Sequence, residues 1–127
     1  MPEFTCSFGD YTVSLRLLAE NPRSRNDTGI VGYTVQNTGS QVIPADEFDL
    51  EFTLLSSGVT FVETGGDVYF ETAYRQPLNP QASKYNPTGF DSRLRTRHES
   101  TTDPFEVSVR LLHETSEVSE FRFSSEE

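Results

Sequence analysis

The chain has 127 residues, with 20 acidic and 10 basic side chains and a formal net charge of −10. This length suits one domain, and the acid excess argues against binding to nucleic acids or anionic membranes, whose phosphates it would repel. Many carboxylates with a single Lys are typical of proteins from salt-loving organisms, because concentrated salt screens the repulsion between carboxylates. An ordinary acidic protein is the alternative interpretation.

Alternating apolar and polar residues predict β-strands along the whole chain. Four runs precede residue 55, and Leu18 interrupts the alternation of the second run. Their apolar positions are, in chain order, Phe4, Cys6 and Phe8; Tyr11, Val13, Leu15, Leu17 and Ala19; Val31, Tyr33 and Val35; and Phe48, Leu50, Phe52 and Leu54. Loops rich in Asn, Gly and Ser separate these runs, as expected for turns between antiparallel strands.

The second half of the chain alternates less regularly. Short runs at 58–63 and 67–75 follow glycine-containing turns, and the Pro- and Asn-rich segment 78–89 predicts a long connection. The run FDSRLRTR, residues 90–97, alternates poorly and is interpreted as an edge strand. The last two predicted strands are marked by Phe105, Val107, Val109 and Leu111, and by Phe121 and Phe123.

These strands and turns together predict the fold class. Turn residues recur at spacings of about 8–12 residues, and no segment has a helical period. The sequence therefore predicts one all-β domain over residues 1–127, an antiparallel Ig-like β-sandwich of about seven to nine strands. A long loop or insertion is expected around residues 76–102.

Four carboxylates follow one another closely at Asp46, Glu47, Asp49 and Glu51. A divalent cation needs oxygen ligands that converge on one point. Carboxylates on alternate residues of a strand instead lie in a row, about 7 Å apart. The run is therefore interpreted as the solvated face of a strand, and no metal site is predicted.

Catalytic candidates are scarce. Nucleophilic catalysis needs a base beside the nucleophile, and the chain has one Cys and two His. Cys6 shares its strand face with Phe4 and Phe8, which predicts a buried thiol, and His113 continues an apolar strand face beside the core. No phosphate-binding or metalloprotease motif occurs. The sequence predicts no catalytic residue, no cofactor and no enzymatic activity.

The basic residues concentrate in one segment. Between residues 75 and 98 there are five bases and a single acid, whereas the rest of the chain is strongly acidic. Such a patch is suited to an acidic partner, including a second copy of the chain. Local pairing with the protein's own carboxylates is the alternative. The predicted contact residues are Arg75, Lys84, Arg93, Arg95, Arg97 and His98.

Several short motifs between residues 30 and 120 resemble those of a known family. They are Asn37-x-Gly39, the strand from Phe48 to Phe52, the turn with Leu78, Pro80 and Ser83, and the late pair Val118 and Glu120. In this arrangement the chain resembles the cell-adhesion-related domain of bacteria and archaea, CARDB, although Gln81 stands where that family has Gly. The resemblance implies an Ig-like fold and brings no catalytic residues with it.

A non-enzymatic structural or binding role is therefore expected, and two classes remain open. The first is a virion component, such as a capsid decoration, turret or tail-associated protein, made in the host cytoplasm and contacting other structural proteins and copies of itself. The start of the chain shows no signal peptide, which favours this class if Met1 is the true start. The second is an adhesion or carbohydrate-binding module of a larger cell-surface protein. Neither class involves nucleic acid, membrane insertion or an identified small-molecule substrate.

Overall fold

The computed structural model describes residues 2–71, 76–81 and 87–126, and these form nine β-strands and no helix. Each strand covers one of the runs predicted from the sequence. The strands are Glu3–Phe8 (β1), Tyr11–Glu20 (β2), Gly29–Asn37 (β3), Phe48–Leu54 (β4), Val59–Phe61 (β5), Val68–Glu71 (β6), Gly89–His98 (β7), Glu106–His113 (β8) and Ser116–Ser124 (β9).

The strands form two antiparallel sheets, with the orders β1-β2-β3-β7-β5 and β6-β4-β8-β9. The predicted antiparallel β-sandwich is confirmed. If β2, β3, β4, β5, β7, β8 and β9 take the letters A to G, the sheets contain the A-B-E-D and C-F-G orders of a constant-type Ig domain. Strand β1 extends the first sheet and β6 extends the second.

Strand β4 illustrates how the sequence pattern produces the core. Phe48, Leu50, Phe52 and Leu54 are buried, and the polar residues between them lie on the outer face. The ring of Phe52 packs against Tyr33 of the facing sheet, with ring centroids 4.8 Å apart. Large aromatic side chains fill the space between the sheets, and each buries more area than an aliphatic residue. A modest number of apolar residues is therefore enough to close the core.

The sandwich is closed along one side by contacts between β1 and β9, which belong to different sheets. Phe4 stacks on Phe121 with ring centroids 4.6 Å apart. Beside this pair, the thiol of Cys6, two residues after Phe4, donates to the hydroxyl of Ser119, two residues before Phe121, at 3.4 Å. The predicted burial of Cys6 is confirmed, since only 4% of the residue is exposed.

Strand β7 requires a correction to two expectations. Residues 90–97 were expected at a sheet edge, and 76–102 as a long loop or insertion, but β7 lies between β3 and β5 and pairs with both. The alternation is hidden in the sequence because β7 points the polar residue Thr96 into the core, where it is fully buried. The Thr96 hydroxyl forms a hydrogen bond with His98, which makes this burial acceptable.

Candidate functional site

The three arginines Arg93, Arg95 and Arg97 lie on the outer face of β7, and all three are exposed. Alternate residues of a strand point to the same side of the sheet. The intervening residues Leu94 and Thr96 are buried in the core, which fixes this orientation. Because β7 is an interior strand, the arginines stand on the flat of the sheet instead of along its edge.

Strand pairing adds a fourth arginine to this surface. Arg16 of β2 pairs with Thr34 of β3, which pairs with Asp91 of β7, so all three point outwards in one row. Nothing in the sequence pattern indicated that Arg16 belongs with the β7 arginines, because they are about 80 residues apart and two strand pairings connect them. We call Arg16, Arg93, Arg95 and Arg97 together the basic face.

Two of these guanidinium groups are held by the protein's own carboxylates. Arg95 Nε lies 3.4 Å from Glu63 Oε1, and the Arg95 backbone N–H donates to the same carboxylate. Arg16 Nε lies 3.5 Å from Glu3 Oε2, with both side chains more than half exposed. Within the described parts of the chain, Arg93 and Arg97 form no ion pair. The alternative of local pairing with the protein's own carboxylates therefore holds for Arg95 and Arg16. It does not hold for Arg93 and Arg97, whose charges stay available to a partner.

His98 was grouped with these arginines but points in the opposite direction. Its position on β7 has the parity of the buried residues Leu94 and Thr96. One ring nitrogen, Nε2, lies 2.6 Å from Thr96 Oγ1, and the ring packs edge-on against Phe105 at 4.7 Å. Burial lowers the pKa of His98 below its usual value. His98 is therefore part of the interior packing and not of the basic face.

Arg75 and Lys84, the other two predicted contact residues, lie outside the described residues, as does Ser83 of the family-like turn.

The acidic run of residues 46–51 lies across the sandwich from the basic face. Glu51 Oε1 is 3.0 Å from Arg110 Nη1, and Glu47 Oε1 is 3.0 Å from His113 Nε2. Over residues 2–71, 76–81 and 87–126, no group of three or more His, Cys, Asp or Glu side chains converges as metal ligands would. These two carboxylates are matched to bases of neighbouring strand β8, as expected for a solvated strand face.

His113 lies at the end of β8 beside the core, as predicted. Its ring packs against Phe8 with centroids 5.0 Å apart, and its Nε2 lies 3.0 Å from Glu47 Oε1. Cys6, the chain's one thiol, is buried two residues before Phe8 on the same face of β1. The Cys6 thiol donates to Ser119 and the His113 ring nitrogen lies against Glu47, so the two are not hydrogen-bonded as a nucleophile and base.

A scan against protein-family models gives no match to this chain, and a search of curated proteins finds no significant similarity. The resemblance to the cell-adhesion-related domain stays a prediction. In the part of the chain that the structure describes, no helix is long and apolar enough to cross a lipid bilayer.

Proposed function

We propose that this protein is a non-enzymatic binding protein of a virus particle, and that its basic face docks against an acidic surface of a neighbouring structural protein. The observation that carries the proposal is the exposed row on β7, in which Arg93 and Arg97 have no ion pair among the described residues. Unpaired cations that stay on one surface of a chain with net charge −10 are best explained by a partner.

The basic face would act first on the encounter between partners. Most of this surface repels an acidic protein, so an approaching acidic surface is favoured only where the arginines are concentrated. Guanidinium groups also bind carboxylates through two parallel hydrogen bonds, which adds geometric specificity to the charge attraction. The expected interaction is therefore orientation-specific.

The strength of each contact is modest, because the arginines are exposed. An exposed ion pair contributes about 0–1 kcal/mol, so a few such pairs do not hold two monomers together firmly. A particle shell presents the same acidic surface in many copies, and linked contacts bind far more tightly than single ones. This is the reason for preferring a shell lattice to a single soluble partner.

The absence of enzymatic function in this proposal is supported by how the reactive side chains are used. Cys6 is buried and its thiol donates a hydrogen bond to Ser119, which keeps the thiol from acting as an exposed nucleophile. His98 is packed against Phe105, and His113 is held by Glu47. Each of these groups has a structural partner.

The experiment compares two charge-matched variants in the source organism. Arg93→Glu with Arg97→Glu reverses the two unpaired cations, while Arg25→Glu with Arg122→Glu makes the same change of net charge elsewhere. We expect the wild type and the second variant to sediment with particles in a density gradient, and the first to remain soluble. Circular dichroism of both purified variants checks that the fold is intact.

Two outcomes would contradict the proposal. Equal incorporation of both variants would show that the basic face does not dock. Sedimentation of the wild type with cell envelopes would replace the particle by a cell-surface setting, in agreement with the adhesion-type alternative.

A further inference from the structure

A groove runs along β3, the middle strand of the five-stranded sheet, on its outer face. Its floor consists of the outward residues of β3, and side chains of β2 and β7 form its two walls. Three adjoining depressions of about 270, 90 and 230 Å³ lie along this strand. We call this feature the β3 groove; its floor residues are Ile30, Gly32, Thr34 and Gln36.

The centre of the β3 groove exists because Gly32 has no side chain. Gly32 pairs with Leu18 on one side and with Arg93 on the other, so these two form the walls there. A Cβ added at Gly32 would lie 3.7 Å from Leu18 Cβ and 3.8 Å from Arg93 Cγ, which are ordinary contacts. The space above Gly32 is therefore open because this residue is glycine, and a larger side chain could fill it.

Leu18 is the residue that interrupts the alternation of its strand in the sequence. On the outer face it places an apolar wall opposite the aliphatic stem of Arg93, across Gly32. Glycine within a strand often marks a place where another backbone approaches closely. Leu18 and Gly32 together make a half-apolar slot beside the arginines of the basic face.

The width of the β3 groove suits one extended chain. Strands β2 and β7 are two strand spacings apart, or roughly 9.5 Å, by the usual separation between neighbouring strands. One extended chain takes up about 4.8 Å of width beside another, so a single strand of a partner fits above β3 between these walls.

Charges at the groove specify what kind of chain fits. Arg93 stands beside the centre. The next row along β3 has Arg16 on one wall and Asp91 on the other, and Glu20 lies in the row on the opposite side of the centre. The Arg16–Glu3 pair is exposed and therefore weak, so Arg16 can turn to a new carboxylate. The central depression thus has two arginines and one acid, which favours a bound segment with a single acidic residue at its centre and neutral residues on both sides.

We propose that the β3 groove binds an extended segment of a partner protein, with an Asp or Glu carboxylate seated above Gly32 between Arg16 and Arg93. This inference rests on the proposed function, because it names the part of the acidic partner that the basic face holds. The methylene groups of the seated side chain would lie against Leu18, and its carboxylate would accept hydrogen bonds from the two guanidinium groups.

The test uses amide resonances of the whole protein, labelled with ¹⁵N, and three soluble probe peptides. Each peptide is seven residues long and consists of serine and threonine except at its central position. The central residue is glutamate in the first peptide, glutamine in the second and lysine in the third. We expect saturable shifts at the amides of Gly32, Thr34 and Arg93 with the glutamate peptide alone. Arg93→Gln is expected to weaken this binding about fivefold, as for one exposed charge pair.

Variants at the floor separate the groove from the charge. Gly32→Val fills the slot without changing any charge, and valine suits a strand; we expect it to abolish the shifts. Thr53→Val on the outer face of β4 is the matched control and should bind as the wild type does. No saturable shift with the glutamate peptide, or equal shifts with the lysine peptide, would overturn the inference.

The same variants distinguish this inference from the proposed function. Suppose that Gly32→Val enters particles as the wild type does, while Arg93→Glu with Arg97→Glu does not. The proposed docking through the basic face is then supported, and binding of a segment in the β3 groove is excluded. If neither variant affects incorporation, the proposed function itself fails.

Discussion

Tyr33 of β3 donates its hydroxyl hydrogen to Glu71 Oε2 of β6 at 2.6 Å, a hydrogen bond that joins the two sheets. Burial, together with the neighbouring Glu71 carboxylate, raises the pKa of Tyr33 far above its usual value. The proton therefore stays on the phenol at every ordinary pH, and the carboxylate keeps its donor.

Tyr33→Phe removes that donor and leaves Glu71 without this hydrogen bond. We expect the free energy of unfolding at neutral pH to fall by about 1–3 kcal/mol, the usual cost of losing a hydrogen bond to a charged group. Urea denaturation measures this change. Tyr11→Phe, a change in a half-exposed tyrosine of β2, is the matched control, and an equal effect of both variants would contradict the assignment.

Alkaline pH gives the same variant a second readout. Because the pKa of Tyr33 is higher in the folded protein than in the unfolded chain, the unfolded chain loses this proton first. Stability due to Tyr33 is therefore fully present below about pH 10 and is lost as the pH rises above it. In Tyr33→Phe the loss of stability above pH 10 should be smaller than in the wild type.

The buried His98 is expected to make the stability of the protein depend on pH in mild acid. Burial lowers its pKa in the folded protein, and its Nδ1 is buried without a hydrogen-bond partner among the described residues. The unfolded chain therefore binds a proton more readily below about pH 6.5, and stability falls as the pH drops. We expect the free energy of unfolding to be lower at pH 5.5 than at pH 7.5, with a smaller difference in His98→Gln. An unchanged difference in that variant would exclude His98 as the cause.

Gly29→Ala is expected to destabilise the protein although alanine usually favours folding. A Cβ at Gly29 would overlap the His98 ring and lie only 2.8 Å from the Glu20 carbonyl oxygen. Overpacking of this kind costs about 1–3 kcal/mol. Gly32→Ala on the same strand is the control, since its new Cβ has room, and it should be neutral or stabilising by up to about 1 kcal/mol. Thermal melting of both variants checks the contrast.

The turn between β8 and β9 should be improvable. Its two central residues, Glu114 and Thr115, have φ angles of 54° and 66°, a region that is unfavourable for side chains other than Gly and Asn. Replacing them by Asn and Gly, respectively, is expected to raise the free energy of unfolding by about 1–2 kcal/mol. Urea denaturation would show this, and a decrease would mean that the native pair makes compensating contacts.

Salt is expected to stabilise the protein. With 20 acids and 10 bases, its carboxylates repel one another, and salt screens that repulsion. The melting temperature should rise steeply between low and molar KCl if the acidic composition is an adaptation to salt. A melting temperature that does not change with KCl would instead support the interpretation as an ordinary acidic protein.

The regular strands could be predicted because burial and hydrophobicity coincide in them. In β4 every buried position is a large apolar residue, so periodicity alone identifies the strand and its inner face. In β7 they do not coincide: Thr96 is fully buried, and the sequence therefore resembled an edge strand. Its position beside β3 depends on pairing between distant segments, and a single sequence gives no direct signal of that pairing.

The basic face was half visible in the sequence. The alternation of Arg93, Arg95 and Arg97 correctly indicated a shared face, whereas Arg16 and the opposition of Leu18 to Gly32 needed the order of strands. Leu18 was noticed as an irregularity, but its meaning depends on which residue lies across from it. His98 was grouped with the arginines because histidine is a basic residue. That grouping overlooked that residue 98 points to the same side of β7 as the buried residues Leu94 and Thr96.

The closure of β1 against β9 has a mechanical consequence. Pro2 accepts a hydrogen bond from the Leu17 backbone, and Ser124 pairs with Glu106, so both ends of the described chain leave the sandwich towards the same end. Tension applied between them would peel β1 from β2 and β9 from β8 one hydrogen bond at a time, because the load would not be shared along a strand. The domain is therefore suited to being held by its faces and poorly suited to bearing a pull along its chain.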